Sequence, residues 1–338
     1  MKLALFAGLG VTSTLTLSTG PEMAFAVEAG AKHQKTYAHT LQLEVDSGVM
    51  RMGDMEEEMP DEFSLEINHD VTRVFLDHYV SCEDGRPTHL VRTLTEFDDI
   101  ASGVISEGPG DDHLPEIAMD SDLEGAPLRW KWSDGGYDVS PAEEDSDLEA
   151  DQLEGLHFDL DALALLPDEG TDVSAGWEVE GAALLGLLNP GGDIWSLPSD
   201  SFEDDEDAIF RIIALLPALG EVEGDVELRP SREGSSTFDV TGELSTSIDA
   251  WPFIERWAQG SDDPMFDEVT SLELSAELDI EGTLTWDPEL GCLVGFELTA
   301  GVERTLNITG EQREMTRELE MLFIGEAEWS LEVEPAQG

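Results

Sequence analysis

Between residues 272 and 286 apolar and polar side chains alternate without a break in phase. Leu272, Leu274, Ala276, Leu278, Ile280, Leu284 and Trp286 fall on one side; Glu273, Ser275, Glu277, Asp279, Glu281, Thr283 and Thr285 fall on the other. Period two held over that length describes a half-buried strand, because the apolar positions of a helix recur every three to four residues. Asp287, Pro288 and Gly291 then supply a turn, proline by fixing φ and glycine by accepting a positive one. The alternation returns at 292–302 through Cys292, Val294, Phe296, Leu298, Ala300 and Val302, and at 319–333 through residues that include Met321, Phe323, Trp329 and Leu331. A strand of about 15 residues spans about 50 Å and must twist and coil strongly. The pattern predicts a long, curved antiparallel sheet with one apolar and one acidic face.

Shorter strands are expected at 226–228 and 238–244, and the N-terminal half repeats the architecture with strands at 37–45 and 63–67. Residues 74–82 and 88–97 read as a hairpin about Asp84-Gly85, the strongest short-range turn signal between two β-rich runs. That turn sets His78 opposite Val91 and Val80 opposite His89. A second hairpin joins 130–132 to 137–139 through Asp134-Gly135-Gly136.

Three stretches depart from period two. Residues 158–166 carry apolar residues at helical spacing and stop at Pro167; 181–188 is Ala/Leu-rich and stops at Asn189-Pro190-Gly191-Gly192. The third, 205–216, opens on acidic residues where a helix dipole favours them and ends before Pro217. With 251–258, these segments are expected to cover the apolar face of the sheet. The fold class that follows is α+β, mainly antiparallel β, a half-barrel-like sheet covered by short helices. The expected divisions are a leader at 1–26, a β-rich half at 27–150, a helical cover at 151–220 and the long-stranded sheet at 221–338. Acidic runs at 54–62 and 143–151 read as solvated loops.

Composition decides which partners are excluded. The chain carries 77 Asp+Glu against 16 Lys+Arg, a net charge of −61. Such a surface repels nucleic-acid phosphates and anionic headgroups. Carboxylates in this excess suit a saline medium, which screens their repulsion; ordinary acidic drift of an exported protein explains them equally. Residues 1–26 have the order of a secretory signal: Lys2, an apolar stretch from Leu3 to Val11, and Ala24-Phe25-Ala26 as a small-x-small cleavage pattern that would leave Val27 first. The apolar run is shorter than the roughly 20 residues of a membrane span. An exported, soluble, periplasmic or extracellular protein is expected.

Export places Cys82 and Cys292 in an oxidising compartment, so they are candidates for one disulfide, with burial as separate apolar thiols the alternative. Asp120, Asp122, Glu124 and Gly125 copy the first half of an EF-hand loop, but its closing glutamate is replaced by Lys131. His78 and His89 lack a third ligand at any fixed spacing, so no metal site is assigned. Gly-x-Ser-x-Gly, His-Glu-x-x-His and Gly-x-x-x-x-Gly-Lys are all missing from the sequence, and neither an enzyme nor a cofactor is expected.

Asp77-His78-Tyr79, the 83–87 turn, Ala164-Leu165-Leu166-Pro167, the stretch from Val173 to Val179, and Trp286-Asp287 through Gly291 together resemble exported bacterial β-rich envelope proteins of unknown function. These are similar in outline to periplasmic lipoprotein-carrier half-barrels. The resemblance implies an incomplete barrel whose hollow holds acyl chains, and it carries over no catalytic residue. On that reading an apolar ligand, a lipid or a lipidated partner contacts Leu278, Ile280, Trp286, Phe296, Phe323 and Trp329. The competing readings are a structural or interaction protein of the envelope, in which these residues fill a core, and a calcium-dependent extracellular module.

Overall fold

The fold was obtained as a computed structural model. The structure describes residues 23–336 except 54, 61–62, 108–110, 145, 147, 154, 159–160, 169–170, 193–219, 233, 252–268 and 313–314. Thirteen strands form one antiparallel sheet: β1 (Lys32–Met52), β2 (Met55–Glu58), β3 (Phe63–Glu83), β4 (Arg86–Glu107), β5 (Asp111–Ala118), β6 (Pro127–Ser133), β7 (Gly136–Pro141), β8 (Trp177–Glu180), β9 (Glu221–Pro230), β10 (Thr237–Asp249), β11 (Val269–Asp287), β12 (Cys292–Gln312) and β13 (Met315–Pro335). Their order is β7-β6-β4-β3-β1-β13-β12-β11-β10-β9-β8, with β2 added beside β1 and β5 beside β4. The path is open among the described residues, with β7 and β8 at its ends.

Alternation sets the faces as expected. Leu272, Leu274, Leu278, Ile280, Leu284 and Trp286 are all buried, and so are Phe323, Trp329 and Leu331 across the sheet. The strands are longer than the sequence suggests. Residues 63–67 and 74–82 are parts of one 21-residue strand, β3, because His69, Arg73 and Asp77 continue its inward register with polar side chains. Bulges let such strands keep their inward phase: β1 steps over Asp46 between Val45 and Ser47, and β4 steps over Thr95 opposite Val74 and Phe75. A third bulge, at Val80, sets His89 opposite Ser81 rather than Val80, whereas His78 does face Val91.

Both Asp-Gly turns are two-residue loops with positive φ at each position, 50° and 72° for Asp84-Gly85 and 47° and 93° for Asp134-Gly135. This conformation matches the right-handed twist of the flanking strands and favours Asp followed by Gly.

The helical cover is the part of the reading that the structure overturns. The fold is nearly all β, not α+β, and the described helices are single turns. Among the described residues of 158–166, Leu163–Leu165 alone is helical, as a 3-10 turn, after Ala162 adopts a left-handed φ of 53°. Within 181–188 a 3-10 turn, Gly181–Leu184, leads into the four-residue helix α1 (Leu185–Leu188). Nucleation is costly and repays only over longer runs, whereas Pro167, Gly176, Gly181 and Asn189-Pro190 interrupt this stretch every few residues. Periodicity over eight residues could not reveal that Trp177–Glu180 between them is an edge strand paired with β9. The expected helix at 205–216 lies outside the described residues, as does 251–258 beyond Trp251.

Phe25, assigned to the leader, takes part in the core together with Val27, which follows it. Phe25 and Val27 are buried, the Phe25 ring lies 6.0 Å from that of Tyr79, and Ala26 N–H donates to Gly291 O at 2.9 Å. A chain starting at Met23 should therefore be more stable than one starting at Val27 by about 2 kcal/mol, the order expected for burying one Phe side chain. Urea denaturation of the two chains measures this; equal midpoints would show that Phe25 contributes no net burial energy.

Cys82 and Cys292 are both free thiols. Burial pushes the Cys292 thiol up to about 12 and the Cys82 thiol up to about 11, so both stay protonated at neutral pH.

Candidate ligand-binding cavity

The inward register of β1, β3, β4 and β12 carries charge at positions where alternation calls for apolar residues. Among the described lysines and arginines, Lys35, Arg73, Arg92 and Arg304 are buried, each at most 5% exposed. A buried ion needs partners, and the four differ in how far they find them.

Lys35 and Arg92 belong to a balanced cluster. Lys35 Nζ lies 2.9 Å from Asp77 Oδ2 and 2.7 Å from Asp161 Oδ1. Arg92 grips Asp77 with two hydrogen bonds, of 2.7 and 2.8 Å, and donates a third to Phe158 O. The Tyr79 hydroxyl donates to Asp161 Oδ1 at 2.6 Å. Burial alone would raise the Asp77 carboxyl, but Arg92 and Lys35 outweigh it and hold the group well below the usual carboxylate range. Two cations face two carboxylates, and the network ties β1, β3 and β4 to the loop that carries Asp161.

Arg73 belongs to a second group that anchors the turn after α1. Its guanidinium donates to Asn189 Oδ1 at 3.2 Å and Pro190 O at 2.8 Å, and reaches Asp99 Oδ2 at 3.4 Å. His69 Nε2 meets the other Asp99 oxygen at 2.6 Å, and the Tyr37 hydroxyl donates to Leu188 O at 2.9 Å. These bonds hold Leu188 and Asn189 over the middle of the sheet.

Beneath that turn lies a cavity of about 70 Å³. Leu41, Val71, Leu188, Ala276, Leu278, Val302 and Ala327 give it apolar walls, and Tyr37, His39, His69, Arg73, Asn189, Arg304 and Trp329 complete the lining. The imidazole of His39 stacks on Trp329 at 5.1 Å between centroids, with 9° between planes. Burial, aided by His69, Arg73 and Arg304, drives His39 well below the ordinary imidazole value, so it is neutral at pH 7. Burial also brings the Arg304 guanidinium down to about 10.

Of the six residues that the sequence nominated for ligand contact, Leu278 and Trp329 line this cavity. Ile280, Trp286, Phe296 and Phe323 are buried, at most 3% exposed, and are not part of its lining. The polar residues of the lining were not nominated. Their signal was present: His39 follows Lys35 and Tyr37 in phase, His69, Arg73 and Asp77 recur every four residues, and Arg304 sits between Val302 and Leu306. A charged residue on the apolar phase of a strand is the pattern that marks such a site within the sequence itself.

The opposite face of the sheet carries an open groove of about 1150 Å³, bordered by Glu44, Glu66, Glu243, Glu277, Asp279, Glu303 and Glu326. No group of three or more His, Cys, Asp or Glu placed to hold a metal ion occurs among the described residues, and none of their helices is long and apolar enough to cross a membrane.

No protein-family description matches the chain, and no curated protein does. Among solved structures, lipovitellin, described there for its lipid–protein interactions, aligns over 93% of this chain and 26% of its own, at 10% identity and a TM-score of 0.32. This chain thus spans about a quarter of that protein's length. The outer membrane protein OprG from Pseudomonas aeruginosa aligns over 90% of this chain and 99% of its own, at 6% identity and a TM-score of 0.24. The COG4313 outer membrane channel from Pseudomonas putida F1 aligns over 92% and 98%, at 12% identity and a TM-score of 0.18.

Proposed function

We propose that this chain is an exported, non-enzymatic binding protein that holds an amphipathic molecule between the apolar face of its sheet and the turn after α1. The observation that carries the reading is the cavity itself, walled by aliphatic side chains and ended by a small set of convergent polar groups, the arrangement by which small-molecule sites fix a ligand's orientation. Export is supported by the order of residues 1–26, and the absence of any recognised catalytic motif supports a binding role rather than chemistry.

A second reading, a structural or interaction protein of the envelope, is favoured by the dense burial of Ile280, Trp286, Phe296 and Phe323. Organic extraction and mass spectrometry of the natively purified protein separates the two. A co-purifying amphiphile at about one per chain is the expected result. A clean protein that regains nothing on incubation with envelope lipids would transfer the assignment to the structural reading.

A further inference from the structure

Among the described residues, nine buried side-chain polar atoms lack a hydrogen-bond partner, and five of them belong to residues that line the cavity: His39 Nε2, Arg73 Nε, Arg304 Nε and Nη1, and Trp329 Nε1. Unsatisfied buried groups are rare in folded proteins because each costs most of its desolvation energy. Four of the five are N–H donors, and the neutral imidazole of His39 can donate through Nε2. A cavity fringed by unmet donors is short of acceptors.

The charge balance points the same way. Arg73 is already engaged by Asp99, Asn189 and Pro190 O. The Arg304 side chain is 4% exposed, and its Nε and Nη1 have no hydrogen-bond partner among the described residues. Among the described residues, histidines aside, two guanidiniums face one carboxylate around the cavity, which leaves one positive charge unmatched there. This is unlike the Lys35–Asp77–Arg92–Asp161 network, where the charges cancel. An unpaired buried cation is costly enough to be uncommon unless something that binds there supplies the counter-charge.

We infer that the cavity is the seat of a singly charged anionic headgroup, a carboxylate by preference, held by the Arg304 guanidinium with His39 beside it. The inference rests on the binding function proposed above and names the chemistry of its ligand. A guanidinium offers a planar fork that matches a carboxylate with two parallel hydrogen bonds. The size agrees: since a cavity of about 150 Å³ holds the six carbons of benzene, 70 Å³ takes a group of roughly three heavy atoms, a carboxylate. The acidic outer face neither attracts nor selects such a ligand, so recognition lies in this internal donor set.

The test is calorimetric titration of the full-length, delipidated protein with three probes: octanoate, the uncharged isostere octanamide, and acetate. The wild type should bind octanoate roughly 10- to 100-fold more tightly than octanamide, the span of one or two charge-assisted hydrogen bonds. Arg304→Met should erase that preference while still binding octanamide, and Arg304→Lys, which keeps the charge but loses the fork, should retain part of it. Equal binding of octanoate and octanamide by the wild type would overturn the anionic headgroup and leave the apolar hollow standing. So would undiminished preference in Arg304→Met. Acetate binding as tightly as octanoate would support the anion seat and assign it to a free small carboxylate rather than an amphiphile. Failure of all three probes to bind would overturn the binding function and the headgroup together.

Discussion

Asp77→Asn is expected to lower the unfolding free energy at pH 7 by about 3–5 kcal/mol, the range seen when one partner of a buried ion pair is removed. Asp77 is fully buried and stands between Arg92, which grips both its oxygens, and Lys35. The amide keeps the size of the side chain but leaves two buried cations facing Asp161 alone. Urea denaturation of both proteins gives the difference directly. Its pH dependence identifies the cause. The folded Asp77 carboxyl is held below its ordinary value of 3.8, so its contribution is complete above that pH and is lost as the pH falls toward the folded value, where the unfolded chain binds the extra proton first. The gap between wild type and Asp77→Asn should therefore be constant above about pH 5 and close as the solution is acidified below 3.8. A gap that stays constant through that window would mean that packing of the side chain, not its charge, carries the effect.

Arg304→Met should act in the opposite direction. Replacing a buried charged group by an apolar one of similar length is expected to stabilise the ligand-free protein by about 1–4 kcal/mol, because no described acidic group compensates the guanidinium. Burial lowers the Arg304 guanidinium from 12.5 to about 10, which means the folded interior disfavours its charged form. The penalty is complete below about pH 10, where both folded and unfolded chains hold the proton, so the stabilisation should be present in full at pH 7. A higher urea midpoint with an unchanged slope is the expected measurement. A loss of stability in Arg304→Met would show that the guanidinium is satisfied in the empty protein. The expected gain in Arg304→Met would fit the general trade between stability and function.

The sheet was legible in the sequence because its signal is long. Residues 272–286 and 319–333 hold period two over enough positions that no helix competes, and the two Asp-Gly pairs fixed their hairpins through a requirement for positive φ that few other pairs meet. The cover was illegible for the converse reason. Segments 158–166 and 181–188 are short, and eight apolar-rich residues satisfy a helix, a 3-10 turn or a buried coil equally well. Their conformation is decided by distant partners: Asp161 is drawn in by Lys35 and Tyr79, and Asn189 by Arg73. The cavity was half legible. Leu278 and Trp329 followed from the apolar stripe, but attention to that stripe passed over Arg304 and His39, the exceptions within it.

The pairing of β1 with β13 has a consequence for how the molecule assembles. Setting aside the short side strands β2 and β5, every other neighbouring pair along the sheet path joins strands that follow one another along the chain. The β1–β13 ladder instead sets His33 opposite Pro335 and is reinforced by Ala336 N–H donating to Lys32 O. If the two ends were joined, the path from β8 through β13 to β1 and on to β7 would be a single up-and-down meander, cut at its midpoint. Nearly all of the loop-closure entropy is thus concentrated in one event, the meeting of the first and last long strands. Each half can zip locally, but until β13 is complete both halves display a long unpaired edge, the form in which sheets join the wrong neighbour. A net charge of −61 makes nascent copies repel one another throughout that interval.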